Sequence, residues 1–296
     1  MTTSNVATMA DRTMLVSMSR HIAGFSKKDK TATAQLLAAN NARKGAAVVT
    51  KSVLEGCPQL KACQDQYNLL HREHVRMTKP FNDTPLRVLF STMFPEYNTI
   101  MTGHISTYYS LADTFSASYQ FEKHEAEHVQ GDLYKESDYP AVDVIRAKFS
   151  VDLEYYPMPR ADHWALDISN DITDELTTQF KINMQKAEAT IYKDIYGDVF
   201  TRLGNMSKQM GEYDKKLSSE SKRRPAIYDS LVTHIIDIAD VMQKCNPNGD
   251  PEMDRMRIEI LNAMRGVTTE GLHASQDLRT RTKVAVDDIL AGLPSF

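Results

Sequence analysis

The sequence predicts an α+β fold that is predominantly helical, with a small antiparallel sheet of about three strands, a long helical hairpin or coiled coil, and C-terminal helices. Residues 171–218 contain no proline and carry apolar side chains at steps of three and four, which is typical of a long amphipathic helix. Apolar and polar residues alternate near residues 13–23 and 149–156, as in half-buried strands. The composition of the 296 residues, 42% hydrophobic and 25% charged, excludes disordered and fibrous classes.

The first 43 residues contain one predicted strand and one predicted helix. Residues 1–12 have neither periodicity nor a basic region followed by an apolar core, so we expect a short mobile tail and no signal peptide. A strand follows from Thr13 to Ala23, and Gly24 with the lysines after it predicts a turn. Residues 31–43 are rich in Ala, Leu and Gln without Gly or Pro, which favours a helix.

The middle of the chain predicts two longer helices and a short one. Helices are expected over about 58–77 and 97–130, and Pro80 breaks the chain between them. Pro140 is expected to begin a short helix that Asp138 caps.

Two alternating segments after the short helix favour a hairpin. The first is FSVDLEYYPMP, from residue 149, and the second is HWALDIS, from residue 163. Pro157, Pro159 and Asp162 separate them, which predicts the turn. Together with the N-terminal strand, they would form a sheet of three strands, the minimum for a stable unit.

The C-terminal part is expected to be entirely helical. The apolar positions of 171–218 recur every 3.75 residues on average, so we expect little supercoiling. Such a stripe needs partner helices, which are predicted at 226–245, 251–264 and 275–291. The sequence therefore predicts a mixed α/β domain over 13–170 and a helical domain over 171–296.

Charge is distributed unevenly along the chain. The formal net charge of −4 is the total of +7 in residues 1–80, −11 in residues 81–175 and zero in residues 176–296. A basic region can bind phosphates, whereas opposite charges on one chain can steer subunits head to tail into rings or filaments. DNA and a second copy of the chain are therefore both candidate partners.

Two groups of basic residues are the candidate nucleic-acid contacts. One lies in the first 51 residues and the other surrounds an expected connection between helices. Aromatic residues are not interleaved with these cations, so the sequence does not predict a stacking platform for single strands. The candidate residues are Lys27, Lys28, Lys30, Arg43, Lys44, Lys51, Lys215, Lys216, Lys222, Arg223 and Arg224.

One motif could hold a metal ion. His124 and His128 belong to a segment, HEAEH, that satisfies H-E-x-x-H on a predicted helix, and in a zinc hydrolase Glu125 would be the general base. The segment is highly charged and lacks the flanking apolar residues that usually bury such a helix, so a solvated helix end is the favoured interpretation. No glycine-rich phosphate loop or nucleophile elbow occurs. We therefore predict a non-enzymatic protein without catalytic residues or a cofactor.

The cysteines indicate a reducing compartment. Cys57, Cys63 and Cys245 are too few for a disulfide framework and are wrongly spaced for a zinc knuckle. No apolar run is long enough to span a bilayer. We expect a cytoplasmic protein without a membrane partner.

Two stretches carry a resemblance to a known family. The first is Thr78–Asp83 (TKPFND), followed by Arg87. The second runs from Asp138-Tyr139-Pro140 through IRAKF to Pro157-Met158-Pro159. This layout resembles a family of phage and mobile-element proteins catalogued as a domain of unknown function. The resemblance implies a setting among replication or recombination genes, sometimes beside a MoxR-like AAA+ ATPase, and the host cytoplasm as location.

Three functional hypotheses follow. The first is a phage-type assembly or scaffold protein, homo-oligomeric and associated with nucleic acid or a DNA-processing complex. The second is a protein-only adaptor or inhibitor that acts on a host or phage ATPase or defence complex. The third is a zinc-dependent hydrolase that uses HEAEH.

Overall fold

The predicted fold class is confirmed. The computed structural model describes residues 9–159, 170–217, 226–246 and 249–294, and it is 67% helical with 12% strand. The strands are β1 (Thr13–His21), β2 (Ser26–Asp29), β3 (Val49–Ser52), β4 (Lys79–Pro80), β5 (Arg87–Phe90) and β6 (Ser150–Pro157). The helices are α1 (Met9–Arg12), α2 (Lys30–Ala39), α3 (Pro58–Met77), α4 (Phe94–Gln130), α5 (Val142–Arg146), α6 (Asn170–Leu217), α7 (Asp229–Lys244), α8 (Pro251–Ala263), α9 (Thr269–Ala274) and α10 (Gln276–Ala291).

The contacts divide the chain into two compact units. Unit 1 comprises the described residues of Met1–Ser17, Thr78–Phe94 and Tyr155–Phe296, and unit 2 comprises Met18–Met77 and Pro95–Glu154. The expected boundary near residue 170 is therefore not where the contacts separate. Part of the expected mobile tail is also ordered, because Met9 of α1 is buried and its carbonyl accepts a hydrogen bond from Thr13 Oγ1 at 2.7 Å.

The larger sheet has the strand order β4-β5-β1-β6. Strands β1 and β5 are antiparallel, with Thr13 opposite Phe90 and Val16 opposite Arg87. Strands β4 and β5 form a hairpin whose turn contains Asn82 at φ 51°, a left-handed conformation that asparagine tolerates better than most residues. The segment after Pro80 is thus a β-hairpin and not only a break between helices. The second strand of the expected 149–169 hairpin lies outside the described residues.

Helix α6 forms the centre of unit 1 and confirms the long helix expected at 171–218. Its apolar stripe is buried along the C-terminal two thirds and packs against α7 and α10. Nearer the N-terminus, Leu176, Phe180 and Met184 are only half-buried. The buried members are Ala187, Ile191, Ile195, Val199, Leu203, Met206, Met210 and Tyr213.

Unit 1 also contains a buried lysine. Lys79 of β4 is 4% exposed, and its Nζ lies 2.7 Å from Asp194 Oδ2 and 3.6 Å from Asp198 Oδ2 on α6. A lysine at such a site requires a nearby carboxylate, since an unpaired buried charge is strongly destabilising. The ion pairs attach the short strand β4 to the long helix.

A buried arginine links three helices of unit 1. Arg279 of α10 is 2% exposed, and its Nε and Nη2 donate to Asp214 Oδ1 at 2.7 and 2.6 Å. Its Nη1 donates to the carbonyl of Leu272 at 2.7 Å, and its guanidinium lies 4.6 Å from the ring centroid of Tyr213. These contacts connect α6, α9 and α10.

The core of unit 2 is built around the buried face of α4. Tyr97, Tyr108, Phe115 and Tyr119 are fully buried there, each about one to three helical turns from the next. Phe25 packs edge-to-face on Phe115, with ring centroids 5.6 Å apart. This aromatic contact attaches the residues that precede β2 to α4.

Candidate nucleic-acid interface

Residues 26–52, which we call the basic module, form a small unit of two strands and one helix in unit 2. Strands β2 and β3 are antiparallel, and α2 lies between them in sequence. The Asp29 carboxylate caps α2 by accepting the Ala32 N–H at 2.9 Å, and this hydrogen bond is the main cause that lowers the pKa of Asp29. Helix α2 has no buried residue, so the module adds little to the core.

The structure corrects two expected boundaries here. Lys27 and Lys28 lie in β2 and Lys30 is the first residue of α2, so these lysines do not form a turn. Pairing with β3 makes the segment a strand, and β3 is too short to have been predicted. The helix expected to reach residue 43 ends at Ala39, and Asn41 takes the left-handed conformation at φ 48°.

Asp138 connects the module to the rest of unit 2. Lys27 and Lys51 are directly opposite one another across β2 and β3, where like charges repel. Asp138 forms an ion pair with each of them and offsets part of this repulsion, with Oδ1 3.3 Å from Lys27 Nζ and Oδ2 2.8 Å from Lys51 Nζ. The two lysines, Lys51 foremost, lower the pKa of Asp138. Asp138 is therefore not the cap of the short helix, whose N-cap residue is Ala141.

Hydrogen bonds to backbone carbonyls complete this attachment. The carbonyl of Val53 accepts from Gln130 Nε2 at 2.7 Å and from the hydroxyl of Tyr139 at 2.8 Å. Lys51 Nζ also donates to the carbonyl of Leu133. The base of the module is thus fixed through residues at the end of α4 and in the loop after it.

Four of the six candidate cations in the module remain exposed. Lys28, Lys30, Arg43 and Lys44 have high solvent exposure, and their side chains form no ion pair or hydrogen bond with the described residues. Two of them precede or begin α2, and the other two follow its end. Ten residues of helix are about 15 Å long, which corresponds to about four phosphates at 3.4 Å of axis per strand.

The remaining basic candidates lie in unit 1 or outside the described residues. Lys215 is exposed near the end of α6. The side chain of Lys216 and residues Lys222, Arg223 and Arg224 lie outside the described part of the chain. The basic module therefore contains most of the candidate cations whose surroundings are described.

The HEAEH segment lies on an exposed part of α4. The rings of His124 and His128 have centroids 4.9 Å apart, and the side chain of His124 is 67% exposed and lies 3.9 Å from a Glu127 oxygen. Among the described residues, no group of three or more His, Cys, Asp or Glu side chains is arranged to hold a metal ion. The two histidines share a helix face, as expected, without a third ligand from that part of the chain.

A cleft of about 680 Å³ opens beside the basic module within unit 2. Its lining comes from the connection between β1 and β2, the base of both module strands, the connection after β3 and the start of α3. Ser26 and Ser52, which are opposite one another in β2 and β3, both line it, as do Glu55 and Gln64. Periodicity could not reveal this cleft, because its lining residues are scattered over 43 positions of the sequence and the chain brings them together only on folding.

The thiols of unit 2 are not activated. Cys57 lines the cleft and accepts the Leu60 N–H at 3.4 Å, which caps α3. Burial raises the pKa of Cys57 and raises that of Cys63 to about 11. Since the thiolate is the reactive form, these cysteines serve packing and, at Cys57, capping.

No family model, curated protein or solved structure matches this chain. The resemblance to the phage and mobile-element family therefore stays a prediction. In the described part of the chain, no helix is both long enough and apolar enough to cross a membrane.

Proposed function

We propose that the protein is a non-enzymatic nucleic-acid-associated protein that binds the phosphate backbone through the basic module. The observation that carries the proposal is the set of four exposed cations, Lys28, Lys30, Arg43 and Lys44, none paired with a described residue. The resemblance to the phage and mobile-element family extends this proposal to a role in phage replication or recombination. The uneven distribution of charge along the chain extends it to assembly into oligomers.

The charge of the module supports this assignment. Residues 26–52 contain six cations and one acid, Asp29. Lys27 and Lys51 neutralise Asp138 and hold the module in place, which leaves the four exposed cations for a ligand. Because these cations have no ion pair within the described ranges, no such pair has to be broken before they contact a phosphate, and their contribution to affinity is not reduced by that cost.

Salt dependence tests the proposal. Four phosphate contacts predict that log K falls with log salt concentration with a slope of about −3.6 for duplex DNA and about −2.8 for single strands. A variant with Lys28→Gln, Lys30→Gln, Arg43→Gln and Lys44→Gln should lose most of that slope. Fluorescence anisotropy with labelled oligonucleotides at salt concentrations between about 50 and 200 mM measures the affinity and its salt slope for both proteins.

A matched variant controls for net charge. Arg72, Lys148, Lys193 and Lys208 are also exposed and lie outside the basic module, so their replacement with Gln changes the net charge by the same amount. This control should keep the wild-type slope. If both variants lose the same slope, or if the wild type binds no nucleic acid at low salt, the proposal is wrong and the adaptor hypothesis becomes the better one.

A further inference from the structure

The cleft lies on the same face of the module strands as one of the module's exposed cations, Lys28. Side chains two residues apart along a strand lie on the same face, so Ser26 and Lys28 share a face of β2, and Thr50 and Ser52 share the corresponding face of β3. Ser26 and Ser52 line the cleft, and Lys28 is exposed further along the same surface. A backbone bound at Lys28 would therefore pass the mouth of the cleft.

The cleft itself is not built to bind a phosphate. Its cation, Lys61, is already paired with Asp65, with Nζ 3.2 Å from Oδ1, and the exposed carboxylate of Glu55 adds negative charge. With one cation and one carboxylate, the described lining has no net positive charge and attracts a phosphate less than the four exposed cations of the module do. The charges thus divide the surface into a cationic part for the backbone and a cleft for an uncharged group.

The lining suits a nucleobase. Ile22, Phe25, Leu54 and Leu60 supply apolar surface, and Gln64 joins the serines and Glu55 as hydrogen-bonding groups. A base needs this combination of an apolar contact for its faces and donors or acceptors for its edge. The volume of about 680 Å³ also falls within the range of about 300–1,000 Å³ that small-molecule sites have.

We infer that the cleft receives an unstacked base of single-stranded nucleic acid while the basic module holds the adjoining backbone. The inference rests on the proposed function and specifies its substrate class. A base in an intact duplex is stacked and paired and does not enter a cleft beside the backbone, whereas single strands present their bases to such sites. The protein therefore prefers single strands over duplexes, even though the duplex has the higher charge density.

Gly24 provides a direct test. It lines the cleft, and a Cβ at this position meets no atom within 4 Å, so Gly24→Leu adds a large apolar side chain to the cleft lining without a backbone clash. Gly103 on α4 has the same free space and lies outside the cleft, which makes Gly103→Leu the matched control. The affinity for a single strand of about 20 nucleotides is compared with that for a duplex of the same length at equal salt concentration. This length exceeds the roughly 4–16 nucleotides that known single-strand sites occupy.

The wild type and Gly103→Leu should bind the single strand about tenfold more tightly than the duplex, as expected from one base contact. Gly24→Leu should abolish this preference, so that single strand and duplex bind about equally, and should leave the duplex affinity and its salt slope unchanged. Equal binding of both forms by the wild type, or an unchanged preference in Gly24→Leu, would overturn the inference while the proposed function stands. Absence of all binding would instead remove the proposed function.

A second measurement does not depend on a folded variant. An oligonucleotide that carries photoreactive 5-iodouracil is crosslinked to the wild-type protein, and the modified peptide is identified by mass spectrometry. The adduct is expected within residues 22–26 or 52–64, the two segments that contain the lining residues of the cleft. An adduct confined to peptides outside both ranges would contradict the inference.

Discussion

Asp138→Asn should destabilise unit 2 strongly, because it removes the one charge that separates two opposed lysines. The side chains of Lys51 and Asp138 are 9% and 14% exposed and their charged atoms are 2.8 Å apart. Loss of one partner of a buried pair costs 3–5 kcal/mol, and the residual exposure of Asp138 places the expected loss at about 3 kcal/mol of unfolding free energy. The repulsion between Lys27 and Lys51 acts in the same direction.

Urea unfolding followed by circular dichroism measures this loss, and hydrogen exchange of peptides from residues 26–52 locates it. The control is Asp65→Asn, which removes an exposed pair with Lys61, with side chains 64% and 73% exposed, and should change stability by less than about 0.5 kcal/mol. Adding Lys51→Met to Asp138→Asn should recover part of the loss, since no unpaired buried charge remains at position 51. Equal stability of Asp138→Asn and Asp65→Asn would refute the reasoning.

The same contact predicts a dependence on pH. Because Lys51 and Lys27 lower the folded-state pKa of Asp138 below its ordinary value of 3.8, the carboxylate contributes its full stability above pH 3.8 and loses it as the pH falls through the lowered folded-state pKa. Acid unfolding curves should therefore be less steep for Asp138→Asn than for the wild type below that pH. Parallel curves for the two proteins would contradict this assignment.

Two further predictions concern the buried cations of unit 1. The double change Asp194→Asn and Asp198→Asn leaves Lys79 buried without these two counter-charges and should lower the free energy of unfolding by about 2 kcal/mol, less than for a fully buried pair because both carboxylates are partly exposed. Urea unfolding should show partial recovery when Lys79→Met is added, and no recovery would contradict the role of the charge. Arg279→Lys should lower the free energy of unfolding by about 3 kcal/mol because an ammonium group cannot reproduce the several hydrogen bonds of the guanidinium. In the same assay, Arg281→Lys at an exposed position should be close to neutral, and equal effects of the two changes would exclude a special role for Arg279.

The sequence alone determined the longer helices. A helix is held by hydrogen bonds between residues four apart, so its residue pattern is local and can be read directly. The helix expected at 58–77 has those bounds in the structure, and the stripe expected at 171–218 is the buried face of α6 from Ala187 to Tyr213. The cations of the basic module were likewise visible in the sequence.

Only the tertiary structure decided which of those cations remain exposed and which are paired. Lys27 and Asp138 are 111 positions apart in the chain, and no local pattern indicates that they meet. The short strands β2, β3, β4 and β5 also escaped prediction, since runs of two to four residues become strands only when another segment supplies their hydrogen bonds. The cleft has the same origin, because its walls come from segments that the fold brings together. Spacing within four residues therefore specifies the helices, whereas contacts across tens of residues place the charges and shape the candidate site.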